Sequence, residues 1–191
     1  VALSFVREEK DIIELREILK ENDSHAHIVA KIEKPQAVEN IDSIIAVTDA
    51  IMVARGDLGV EMPMEQVPMI QKRIVTKCIA ASKPVIIATQ MMESMITSPT
   101  PTRAEANDVA NAVMDGADAV MLSAETSVGE YPLKAVQAVE RILGSTEQGW
   151  NVYNKFQKPD PLSPSFISDR ICYATVSMSE GINANAIISM T

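Results

Sequence analysis

Five short apolar runs, centred near residues 3, 30, 53, 87 and 121, alternate with stretches whose apolar residues recur at helical spacing, so that a βα unit returns every 23 to 34 residues. Strands that alternate with helices in this way build a parallel sheet with right-handed crossovers. The strands are expected at 1–6, 28–32, 50–54, 85–88 and 119–122. Between them, Ile12, Leu15 and Leu19 mark a helix over 8–20, and a second runs from Pro35 with Val38, Ile41 and Ile45 inward. Val67, Ile70, Ile74, Cys78 and Ile79 trace one face of a third. Thr102 with Glu105 three residues on is a capping box for a fourth, closing at Asp115-Gly116, and Pro132 opens a fifth over 133–143. A doubly wound sheet would carry a Gly-rich first turn, and no G-x-G-x-x-G occurs. The nearest element, Arg55-Gly56-Asp57-Leu58-Gly59, reads as a loop after the third strand.

Four of the five runs finish in polar or charged residues, as expected where strand ends open onto a site at the C-terminal face of a barrel. The stretch 27–61 is the richest. Its two apolar runs lead into Lys31 and Glu33, and into Arg55 and Asp57. A strand with period two puts Lys31 and Glu33 on one face, and a neighbouring parallel strand brings Asp57 to the same rim. Two carboxylates and an ammonium suit a hard divalent cation and an anionic substrate: magnesium binds through one or two carboxylates and leaves its other positions to water and substrate oxygens. The same spacing also fits a buried Lys–Glu ion pair that closes the end of a barrel core. The next strand delivers Thr89 and Gln90, and the last delivers Ser123 and Glu125. Met91, Met92 and Met95 read as packing, and His25 and His27, at the opposite end of their strand, as surface residues.

The segments VAKIEKPQAV, IMVARGDLGVE, IIATQMMESM, PTRAEANDVANAVMDGADAVMLSAET and GEYPLKAV stand in the order and at about the spacing of the pyruvate kinase family, which the chain resembles over essentially its whole length. The resemblance implies an α/β fold: the last five βα units of a TIM (β/α)8 barrel over 1–149, a linker over 150–166, and the start of a C-terminal α/β domain over 167–191, with a helix at 167–178 and a strand at 186–190. Three prolines, Pro159, Pro161 and Pro164, mark the linker. In the family the C-terminal domain carries an effector site, and Thr191 stands where its phosphate-gripping loop would begin.

For the site, the resemblance implies that Glu33 and Asp57 bind Mg2+ (or Mn2+) together with phosphoenolpyruvate or pyruvate. It makes Lys31 the group that stabilises the phosphoryl in flight. Gly56 and Asp57 would offer main-chain N–H groups to the substrate carboxylate, and Thr89 would contact substrate near the carbon that is protonated. Ser123, with Glu125, would complete a proton relay. The potassium ligands, the nucleotide-binding groups for ADP and ATP and the lid domain of the family lie outside this chain, which is then expected to be inactive alone. The parent would be a cytoplasmic, glycolytic homotetramer. Ala124 departs from the family's usual glycine, and Ser127-Val128 from a small residue followed by lysine. A magnesium-dependent pyruvate-enolate aldolase uses a similar Glu and Asp pair, and a non-catalytic remnant is the rival of another class; Lys31 and the TQMMESM run favour the kinase over the first, and Lys31, Glu33, Asp57 and Thr89 together over the second.

Composition narrows the partners. A net charge of -9 argues against nucleic acid or an anionic membrane surface. No apolar run approaches the roughly 20 residues of a membrane span. Cys78 and Cys172 have no metal-type spacing and are expected as reduced, mostly buried thiols.

Overall fold

Among the described residues a single sheet of five parallel strands runs in the order β1-β2-β3-β4-β5, with β1 at Ala2–Leu3, β2 at Val29–Ile32, β3 at Ala50–Ala54, β4 at Val85–Ala88 and β5 at Ala119–Met121. This is a computed structural model, and it describes residues 1–149, 159, 161, 166–182, 184 and 186–188. The chain forms two compact units, Val1–Trp150 and Asn151–Thr191. In the first, the helices follow the strands: α1 Glu9–Glu21, α2 Pro35–Glu39, α3 Ile41–Val47, α4 Arg55–Glu61, α5 Val67–Ala80, α6 Arg103–Asp115, α7 Ala124–Ser127 and α8 Pro132–Gly149. Spatial order equals sequence order, so the reversal that defines a doubly wound sheet does not occur among the described residues. Helices pack in succession, α1 on α3, α3 on α5, α5 on α6 and α6 on α8, as along the outside of a (β/α)8 barrel.

Register separates the two faces. Ile32, Val53 and Ile87 align across β2, β3 and β4 and are fully buried, and Ala30, Ile51 and Val85, one step out of phase with the other face, are buried too. This is the apolar face that meets the helices; Ile44, Ile74, Val109 and Ala112 belong to the same core. Lys31, Met52, Ile86 and Ala119 align on the opposite face. Val120, paired with Ile87, therefore lies on the helix side. Met52 is buried because its strand is central and Lys31 and Ile86 flank it, whereas Val29 is half-buried.

Other elements depart from the sequence reading for identifiable reasons. β1 is two residues long instead of six, since it has only β2 to pair with. The helix opened by Pro35 breaks at Asn40 into α2 and α3. On α5, Ile79 is exposed and packs over Gly116, while Val75 and Gln71 take the buried face. The Thr102–Glu105 capping box forms, and Gly116 closes α6 at φ 99°. Cys78 is buried, and desolvation with the Asp118 charge pushes its thiol up to about 12; Cys172, expected to be mostly buried, is exposed.

In the second unit α9 covers Phe166–Gly181. No strand forms among residues 186–188; the expected strand has no partner among the described residues, and its remainder, with Thr191 and most of 150–166, lies outside them. Among the described residues, no helix is long and apolar enough to cross a membrane.

Candidate active site

Parallel strands deliver their C-terminal ends to one edge, and β1 to β4 place Ser4, Phe5, Lys31, Glu33, Arg55, Gly56, Asp57 and Thr89 along it. Lys31 and Glu33, two residues apart at the end of β2, meet as period two requires: Lys31 Nζ lies 2.6 Å from Glu33 Oε1. Lys31 also donates to Ser4 Oγ at 3.1 Å, and Phe5 N–H donates to Glu33 Oε2 at 2.7 Å. Glu33 is 2% exposed, yet each oxygen has a donor. Such burial without partners would be prohibitive; with them the carboxylate is satisfied and fixed in direction.

A second cluster sits at the ends of β3 and β4. The stretch read as a loop is helical from Arg55 onward. Two glycines in seven residues disfavour this, and packing overrides them: Leu58 is fully buried and the Arg55 guanidinium is anchored inside. Gly56 N–H donates to Thr89 Oγ1 at 2.7 Å, and Thr89 Oγ1 donates to Ala88 O at 2.6 Å. A Cβ at Gly56 would stand 3.3 Å from Thr89 Oγ1, so glycine lets β4 approach. Asp57 is exposed and makes no ion pair among the described residues.

The two clusters are linked at the periphery. Lys34 pairs with Glu61, the last residue of α4, at 2.7 Å, and its ammonium lies 5.4 Å from the centre of the Phe5 ring. Among the described residues no group of three or more His, Cys, Asp or Glu side chains is placed to hold a metal ion. The donor set nevertheless fits a hard cation that takes few protein ligands: Asp57 is open, and each Glu33 oxygen, engaged once, keeps a second lone pair.

Ser123 is exposed at the end of β5, and its N–H donates to Glu125 Oε2 at 2.7 Å. Glu125, 3% exposed, also accepts from Met92 N–H at 3.1 Å through Oε1. The carboxylate thus ties the β5 loop to the β4 loop through main-chain donors. The Ser123 hydroxyl is not brought to Glu125; it is the N–H that meets the carboxylate. Met91, Met92 and Met95 are buried packing, and His25 and His27 are exposed.

Sequence reasoning passed over the side chains of Arg55 and Asp108. Arg55 was noted only as a charge at the end of the third strand, although a charge following the buried run Ala50–Ala54 was a signal that it needs a partner close by. A pocket of about 480 Å³ beside α4 is lined by Arg55, Gly56, Gln71, Lys72, Asp108 and Asp115 among others. Lys31, Glu33, Asp57 and Thr89 do not line it; of the rim residues, it shares Arg55 and Gly56.

The profile described as "PK: Pyruvate kinase, barrel domain" matches residues 1–136. A pyruvate kinase of Mycobacterium intracellulare is 49% identical over 193 aligned residues, covering 100% of this chain and 40% of that protein. One from Bacillus licheniformis is 46% identical over 100% of this chain and 33% of the relative, and one from Agrobacterium vitis 57% identical over 78% of this chain and 30% of the relative. The chain spans between about a third and two fifths of the curated relatives it matches along its whole length.

Proposed function

The chain belongs to the pyruvate kinase family, and from that premise we propose that it supplies the metal and enolate half of a site that transfers the phosphoryl group of phosphoenolpyruvate to ADP, giving pyruvate and ATP. The observation that carries the reading is the Lys31–Glu33 pair at 2.6 Å on the rim that also bears Asp57 and Thr89. Glu33 and Asp57 would hold Mg2+ or Mn2+, which when bound supplies positive charge to the substrate's carboxylate and enol oxygens.

Lys31 has the position of a charge partner for the moving phosphoryl. It is a quarter exposed and restrained by Glu33 and Ser4, so its ammonium is already oriented when substrate arrives. The Thr89 hydroxyl, fixed between Gly56 N–H and Ala88 O, contacts substrate on the side of the carbon to be protonated. A hydroxyl is a weak acid, so the proton reaches that carbon through water or a relay in which Ser123 takes part. The backbone contacts of Glu125 support a loop-ordering role for that carboxylate.

The wider assignments follow the family: the barrel part over 1–149, the linker over 150–166 and the C-terminal domain from 167; a potassium requirement and nucleotide contacts supplied by other parts of the protein; a cytoplasmic, glycolytic homotetramer. The test is a pair of assays on the full-length protein. Metal-dependent pyruvate formation from phosphoenolpyruvate that requires ADP is expected; retro-aldol cleavage in its place, or no turnover, would overturn the reading.

A further inference from the structure

Two consecutive non-glycine residues at the end of β4 have left-handed backbones, Thr89 at φ 68° and Gln90 at φ 54°. For a β-branched residue this is a true outlier, and such conformations persist only where the surroundings over-determine them. Here one side chain grips both residues. Arg55 Nη2 donates to the carbonyl oxygens of Thr89 at 2.9 Å and Gln90 at 3.1 Å. From the other side Asp108 of α6 holds the guanidinium, with Nη1 to Oδ1 and Nη2 to Oδ2 both at 2.8 Å. Arg55 is 9% exposed, and its Nε is buried with no partner among the described residues. The fork is thus placed to satisfy Asp108 and the two carbonyls while its own remaining donor goes unmet.

We infer that Arg55, braced by Asp108, is a positioning residue that holds Thr89 and Gln90 in the left-handed conformation and so aims the Thr89 hydroxyl at the first turn of α4. The hydroxyl's 2.7 Å bond from Gly56 N–H is the direct product of that aim. Arg55 itself turns inward to Asp108 and Gln71 and acts on the rim only through Thr89. The importance of this for turnover rests on the reading of Thr89 as a substrate contact.

Arg55→Lys in the full-length protein keeps the charge beside Asp108 and removes the rigid planar fork that meets Asp108 with two nitrogens and so holds Nη2 against both carbonyls. The expected result is a crystal structure in which Thr89 returns to negative φ. With it, kcat should fall by about ten- to hundredfold, the cost of a small misplacement at a reacting centre, while half-saturation by Mn2+ stays within about threefold. Adding Gln90→Gly, which accepts positive φ without a steric penalty, should restore kcat at least severalfold; a merely structural loss would show no such rescue. Retention of positive φ at both residues in Arg55→Lys overturns the inference whatever the activity. Relaxed backbones with unchanged kcat would instead leave the brace standing and remove the substrate role of Thr89. If Arg55→Lys yields no folded protein, Asp108→Asn is judged by the same structural and kinetic criteria.

Discussion

Glu33 is held by one ammonium and one main-chain N–H, and this pairing sets what its replacement should do. Glu33→Gln keeps the shape and one of the two accepted bonds while removing the charge that a cation needs. Mn2+ binding should weaken at least tenfold, by analogy with the loss when a supporting group is removed, while the protein stays folded. Electron paramagnetic titration of free Mn2+ would measure it, and wild-type affinity would exclude Glu33 as a ligand. Glu33→Ala is harsher, leaving Lys31 and the Phe5 N–H without their partner; it should destabilise by about 1–3 kcal/mol, the lower end reflecting the partial exposure of Lys31. The Lys31–Glu33 pairing was legible because period two in a buried strand leaves no other geometry. The clasp of Arg55 on Thr89 was not, since it joins residues 34 apart through a backbone conformation that no local pattern announces.

At the level of elements, α6 carries the clearest local signal and the clearest consequence. Glu105 accepts from Ser94 N–H and Oγ as well as from Thr102, so the capping box also anchors the loop after β4. Thr102→Ala should cost about 1 kcal/mol, seen as roughly fivefold faster hydrogen exchange in the first turn of α6. Burial pushes the Glu105 carboxyl up, but the bonds from Ser94 and Thr102 outweigh it and hold it below its ordinary 4.5. A carboxyl lowered in the fold adds stability that is present above 4.5 and is lost as pH falls through the lowered value. Protection of the α6 first turn should therefore decline with acid below that point, and more shallowly in Glu105→Gln. Capping residues and Gly116 made α6 readable to its ends; α4 was misread because Gly56 and Gly59 imitate a loop, and only the burial of Leu58 and Arg55 makes them helical.

For the molecule as a whole, the sequential strand order was legible because each apolar run is followed by a helix long enough to cross over and too short for anything else. The inner face was less so, since which residues it exposes depends on what covers the open edges of β1 and β5. Five strands do not close a barrel of eight, and β1 and β5 each keep one edge unpaired among the described residues. The 191-residue polypeptide on its own should accordingly associate through those edges and form no pyruvate from phosphoenolpyruvate and ADP. Sedimentation and a coupled assay would check both, and a monomeric, active 20.8 kDa species would contradict them. The most direct test of the central claim is the single-turnover rate of pyruvate formation by the full-length protein with Lys31→Met. The expected result is a fall of about two orders of magnitude or more, as for a lost charge partner worth roughly 3 kcal/mol at the transition state, with Mg2+ affinity nearly intact because both proposed ligands, Glu33 and Asp57, remain in place; an unchanged rate would contradict it.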